Sequence, residues 1–184
     1  LFVEDDSCFP TNMYAATKLS AEYFVQQYRE FFQGIVLRLF SIYGPHQKRR
    51  LLPMIIDRIK TGGEIILASE KGIYLTPLYV SDCVEMIWRL IDCSFVCQFE
   101  IFNVSGSEIL HLGEMVAKIA EILGVKPNIK IVNEEPSYLQ GNNRKICDFL
   151  NYYPIVSFDE GILRTIHLYG NKRTSSIHSR RGDK

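Results

Sequence analysis

Residues 12–45 read NMYAATKLSAEYFVQQYREFFQGIVLRLFSIYGP, and this stretch decides the fold. Tyr14, Ala15, Leu19, Tyr23, Phe24 or Val25, Tyr28 and Phe32 recur at spacings of three and four, the period of an amphipathic helix. Thr11 or Asn12 can cap its start and Gly34 its end, so a helix is expected over 12–33. Its apolar stripe is wide and aromatic, broad enough to meet both a sheet and a second subunit. Ile35 to Phe40 then forms a short apolar, partly β-branched run, the mark of a buried strand, and Ser41 to Arg50 a loop holding Gly44-Pro45.

The same alternation continues outward. Helices are expected over 51–60, from a Ser81 cap to about Cys93, over 110–123, near 143–150 and over 159–169. Strands are expected over 64–68, 99–104 and 129–132, with an extended segment at 73–80 interrupted by Pro77 and a polar loop over 133–142. Strands alternating with helices indicate a layered α/β fold.

Composition excludes several classes. With 184 residues, 47% apolar and 23% charged, the chain is an ordinary globular one. Net charge is zero, with 21 basic and 21 acidic residues, which argues against a nucleic-acid binder. No apolar run is long enough for a membrane span. The start, Leu1-Phe2-Val3-Glu4-Asp5-Asp6, has no initiator Met and no basic n-region, so we expect a chain entered partway and no signal peptide. The neutral total divides into an acidic body and a Ser-rich tail, 171–184, with five basic residues and one acid, which reads as disordered. Its Arg181-Gly182-Asp183 matches the tripeptide of integrin ligands, and nothing else suggests an extracellular protein. The five cysteines are odd in number and irregular in spacing, and Cys93 and Cys97 lack partners for a zinc site. Reduced, mostly buried thiols in a cytoplasmic protein are expected, with no metal.

Tyr14 and Lys18 carry the chemistry. Positions i and i+4 share a helix face, so a phenol and an ammonium can point into one site. In general a phenol is a poor base at neutral pH, and a nearby ammonium favours its ionised form. Such a pair can move a proton on and off a substrate hydroxyl. Alone the spacing says little, since a chain with 10 Tyr produces it readily by chance.

Context gives it weight. Glu4, Pro10 and Glu22 around the pair, then Leu37-Arg38-Leu39-Phe40-Ser41-Ile42-Tyr43-Gly44-Pro45, Tyr79-Val80-Ser81-Asp82, Phe102-Asn103-Val104, and finally Lys145, Leu150, Pro154 and Glu160-Gly161 follow one another in a particular order. In that order they resemble the extended short-chain dehydrogenase/reductase family, the NAD-dependent epimerases and dehydratases of nucleotide sugars. The resemblance covers about residues 4–169. It implies the C-terminal remnant of a Rossmann-type doubly wound sheet plus a smaller α/β substrate-binding domain. Residues 1–50 would end the dinucleotide-binding domain, 51–170 would be mostly substrate domain with interleaved Rossmann elements, and 171–184 a disordered basic tail. It also implies that Tyr14 is the acid/base and that Lys18 tunes it and holds the nicotinamide ribose of NAD or NADP. Phe40, Ser41 and Tyr43 would lie beside the nicotinamide. Ser41, Leu52, Pro53 and Arg49 would contact a nucleotide-sugar or related small molecule. Helix 12–33 would form a homodimer, with no nucleic acid or membrane partner.

Departures accompany the resemblance. The family's glycine-rich dinucleotide turn and its catalytic Ser/Thr fall outside this sequence, so the chain alone is expected not to bind NAD tightly. Ser41 stands where many members have Asn, Leu75-Thr76-Pro77 where many have Arg-Asp-Phe, Asn133-Glu134-Glu135 near another common Arg, and Asn142 in place of Asp. A neutral Leu cannot make a charge-assisted bond to a diphosphate. His46, Lys48, Arg49 and Arg50 can supply cations instead, or form a solvated loop. Two readings follow: the C-terminal part of a working enzyme, or a truncated or degenerate homologue serving as a binding or scaffold module.

Overall fold

The computed structural model describes residues 1–93 and 97–170. The basic tail, with its expected disorder and its Arg-Gly-Asp tripeptide, lies outside the described residues.

Two hydrophobic clusters organise the chain. The first surrounds a parallel strand pair, β1 (Gly34–Leu39) and β6 (Phe99–Val104), in register from Gly34 opposite Phe99 to Leu39 opposite Val104. Side chains alternate across this pair. Ile35, Leu37, Phe102 and Val104 pack against α3 (Val80–Asp92) and α5 (Arg144–Leu150), through Cys83, Met86, Leu90, Ile146 and Leu150. Arg38 and Asn103, opposite one another, face α1 (Met13–Gln27) and the segment before it. The layers are therefore α1, the strand pair, and α3 with α5.

The second cluster packs α2 (Leu51–Thr61), α4 (Leu112–Leu123) and α6 (Phe158–Gly170) on β3 (Glu64–Ala68), which pairs in parallel with β8 (Asn128–Val132). Ile56, Ile59, Val116, Ile119 and Ile162 are fully buried there. A three-stranded sheet, β7 (Leu110–His111), β4 (Tyr74–Leu75) and β9 (Tyr138–Leu139), lies alongside. The short parallel pair β2 (Ile42–Tyr43) and β5 (Leu78–Tyr79) joins the two clusters.

The motif residues turn out to be struts. Arg38 grips Glu22 with two nitrogens, at 2.7 and 3.1 Å, and donates to the Glu4 carbonyl at 2.9 Å. The Glu4 carboxylate accepts from Asn103 N at 2.8 Å. Glu22 holds the Arg38 guanidinium charged, pushing its pKa further up. Tyr43 sits in the core against Tyr79 and Phe158, and a Cβ on Gly161 would overlap its hydroxyl. Burial above all, and then Glu108, pushes the Tyr43 phenol pKa far up.

Several boundaries differ from the sequence reading. Helix α1 stops at Gln27 rather than 33, because the chain must turn back so that β1 can start with Gly34 against Val25, where a Cβ would come within 2.6 Å. Ser81 lies inside α3, whose N-cap position is Tyr79. Helix α4 starts after His111, which accepts from Glu114 N while the Glu114 carboxylate accepts from His111 N. The loops expected at 41–50 and 133–142 contain β2 and β9, because both pair with partners distant in sequence. Of the five free thiols only Cys83 and Cys147 are buried; Cys93 is intermediate, and Cys8 and Cys97 are exposed. No helix among the described residues is long and apolar enough to cross a membrane.

Candidate active site

Asn12 starts α1 as the sequence suggests, its Oδ1 accepting from Ala15 N at 2.9 Å. That cap fixes the first turn and so the position of Tyr14. Lys18 follows one turn later on the same face, its Nζ 5.5 Å from the centre of the Tyr14 ring. Tyr14 is 71% exposed, so α1 presents the pair rather than burying it.

Tyr14 stands between two cavities. One, of about 400 Å³, is lined by Lys18, Cys8, Phe9, Phe40 and Asn103 among others. Asn103 is 1% exposed, and its Oδ1 is buried without a hydrogen-bond partner among the described residues. The other, of about 510 Å³, runs between the two hydrophobic clusters and is walled by Ser41, Arg50, Leu52, Leu75 and Leu139 among others. Helix α1 supplies Tyr14, the end of β1 and its loop supply Leu39 and Ser41, and the start of α2 supplies Leu51 and Leu52.

The loop from β1 to α2 is strained. Ser41, His46 and Arg49 all adopt left-handed backbone, with φ of 50°, 68° and 53°. Such conformations are costly for residues with a side chain and persist where surrounding contacts impose them. Gln47 Nε2 donates to Ile42 O at 3.0 Å and ties the loop to β2. Gly44 is held so close to Val80 that a Cβ would lie 2.5 Å from its Cγ1, which accounts for glycine before Pro45.

Of the residues the sequence singled out, Tyr14, Ser41, Tyr43 and Leu52 line the larger cavity, and Tyr14, Lys18 and Phe40 the smaller. Pro53 is buried in the first turn of α2, and neither it nor Arg49 lines the larger cavity. The cation that does is Arg50. Leu75, where the resemblance leads one to look for Arg, is in that wall and only 4% exposed. Glu134 and Glu135 do not line it. Leu139 went unnoticed in an apparently polar segment; its pairing with Leu75 across β4 and β9 brings it in. Among the described residues no cluster of three or more His, Cys, Asp or Glu is placed to hold a metal ion.

Helices layered on parallel strand pairs, with a Tyr–Lys pair at the seam, define a mixed α/β protein of Rossmann type. The family described as "NAD dependent epimerase/dehydratase family" matches residues 2–105, and the chain belongs to it. Among similar sequences, the uncharacterized UDP-glucose epimerase YtcB of Bacillus subtilis is 25% identical over 89% of this chain and 53% of its own length. A dTDP-glucose 4,6-dehydratase of Escherichia coli is 26% identical over 94% of this chain and 52% of its own. The UDP-glucuronic acid 4-epimerase of Bacillus cereus, solved with UDP-glucuronic acid and NAD, superposes with a TM-score of 0.82 at 21% identity, covering 92% of this chain and 56% of that one. The dTDP-glucose 4,6-dehydratase of Bacillus anthracis, solved with NAD, gives 0.81 at 22% identity, covering 94% of this chain and 56% of that one. The chain thus spans about half the length of the curated relatives it matches.

Proposed function

We propose that this chain is the C-terminal part of an NAD(P)-dependent nucleotide-sugar epimerase or dehydratase, with Tyr14 as its acid/base. The observation that carries the reading is the position of Tyr14 between two cavities, with Lys18 beside one and Ser41 and Leu52 in the other. In this reading the cofactor, when bound, accepts and returns a hydride. The chain's own residues do the rest. Tyr14 moves the proton of a sugar hydroxyl, and Lys18 supports the phenolate and holds the cofactor ribose. Phe40, Ser41 and the backbone of Tyr43 line the nicotinamide side. Ser41 and Leu52 line the sugar side, with Pro53 fixing the first turn of α2. The cluster around β1 and β6 is the dinucleotide-binding side, and the cluster around β3 the substrate side.

The exposed aromatic face of α1 and the residues after it supports a homodimer. Phe24 is 67% and Phe31 80% exposed, beside Tyr23 and Tyr28. A cytoplasmic location is in keeping with free thiols. A second reading, a degenerate homologue acting as a scaffold, is favoured by one observation: the apolar Leu75 in the larger cavity's wall.

The test is Tyr14→Phe in the longest natural protein that carries this chain. Turnover of UDP- or dTDP-sugars with NAD should vanish while NAD affinity stays within about threefold. Unchanged turnover removes Tyr14 from the mechanism, and absence of any turnover in the parent protein favours the scaffold reading. The 184-residue chain alone should show no calorimetric NAD binding; micromolar affinity would contradict the need for a further dinucleotide cradle.

A further inference from the structure

We propose that His111 is a proton-sensitive positioning residue for the wall of the larger cavity. The proposal goes beyond the nucleotide-sugar reading and stands without it. His111 occupies the N-cap of α4 at φ −96° and ψ 158°, and its Nδ1 accepts from Glu114 N at 3.2 Å. The Glu114 carboxylate closes the box by accepting from His111 N at 3.0 Å, and its other oxygen is 3.5 Å from His111 Nε2. Ser, Thr, Asp and Asn are the usual residues at such a position. Histidine differs from them in that its ordinary titration falls between about pH 5 and about pH 8.

The cap accepts only while the ring is neutral. One nitrogen of a neutral imidazole accepts and the other donates, and both donate once a proton is added. With Nδ1 accepting from Glu114 N, the neutral ring carries its proton on Nε2, toward the Glu114 carboxylate. A second proton goes to Nδ1 and sets N–H against N–H. The resulting cation also sits on the positive end of α4. The Glu114 carboxylate attracts that cation, but to turn fully toward it the carboxylate must leave His111 N, so both halves of the box open together. The other charged or titratable groups around the ring are Tyr74 of β4, centred 5.6 Å away, Tyr138 of β9 stacked on Tyr74, and Glu70 and Lys71 of the turn packed on Gly113.

This helix start holds part of the cavity wall. Leu112 N donates to Ile73 O at 2.9 Å and Gly113 N to Lys71 O at 3.1 Å, and a Cβ on Gly113 would come within 2.6 Å of Glu70 O. His111 itself pairs with Tyr74 across β7 and β4. Ile73 and Leu75, on either side of Tyr74, line the larger cavity, as does Met115, the residue after Glu114. Met115 is fully buried, so a shift in the first turn of α4 moves it within the packed wall. One proton on His111 thereby reaches three lining side chains, through the helix it caps and the strand it pairs with.

The test follows the 184-residue chain by nuclear magnetic resonance from about pH 8 to about pH 5. The Glu114 amide and the methyl groups of Met115 and Ile73 should move with the same midpoint as the His111 ring protons. Protection of the Glu114 amide against exchange, corrected for the intrinsic rate, should fall about fivefold, as for a lost cap. His111→Asn supplies a cap that does not titrate in this range, and should hold the Met115 and Ile73 signals constant throughout. His111→Ala should show the lowered protection already at about pH 8. His46→Asn, in the loop before α2, should leave the transition as it is. A transition that survives in His111→Asn, or that vanishes in His46→Asn, overturns the proposal. Movement of the Glu114 amide without Met115 and Ile73 overturns it too, because the cap would then act on the helix alone.

Discussion

At the level of single residues, the sequence was best at naming groups and weakest at saying which way they face. That Tyr14 and Lys18 share a face followed from helical spacing, since an i, i+4 pair meets wherever the helix is, while their chemical reading rested on the motifs around them. Arg49 and Arg50 could not be separated by spacing, because their loop is not helical and only its left-handed turns decide which one enters the wall. Cys147 gives a pH signature at this scale. Burial chiefly, with Asp148 beside it, pushes its thiol from 9.0 up to about 11, so the folded chain holds the proton more tightly than the unfolded chain does. Its stabilising contribution is therefore complete below pH 9 and is lost as pH rises from 9 through about 11. Urea midpoints should fall between about pH 8 and about pH 10.5, and fall less in Cys147→Ala. Equal slopes in the two proteins would place the alkaline loss elsewhere, with the buried phenol of Tyr43 and the half-buried phenol of Tyr152 next in line, since desolvation pushes both up.

At the level of elements, the segment beginning Tyr79-Val80-Ser81-Asp82 suggested a capped helix start, yet Asp82 serves a different purpose. Its carboxylate is 2% exposed and accepts from Tyr152 Oη at 2.7 Å and from Val156 N at 3.0 Å. It clamps the 152–156 segment, which follows α5, onto α3, while Arg89 covers the Tyr152 ring at 4.6 Å. Asp82→Ala, which leaves both donors unsatisfied, should cost about 2–3 kcal/mol in urea unfolding and Tyr152→Phe about 1 kcal/mol. The double variant should cost less than the two losses combined, because both remove the same bond. Strict additivity would show that the clamp carries no shared energy. The same lesson applies to Arg38, Glu22, Glu4 and Asn103: a recurring sequence order marked contacts across about a hundred positions, although no local rule could have said that they touch.

At the level of the whole molecule, the exposed aromatic face that runs from Tyr23 to Phe32 has no cover among the described residues. Light scattering should find the chain dimeric, and Phe24→Glu with Phe31→Glu should shift it to monomer with its far-UV circular dichroism unchanged. A monomeric parent would remove this face as the subunit contact. By itself the sequence determined the alternation of helices and strands, the Tyr14–Lys18 face and the family, because these depend on periodicity and on residue order along the chain. Only the tertiary structure decided where α1 stops, that Leu139 joins Leu75, that Tyr43 turns into the core, and that Tyr14 stands between two cavities. Each of these depends on a close approach between elements, Gly34 against the end of α1 at Val25 or Gly161 against the distant Tyr43, and such distances are set by packing rather than by any local preference.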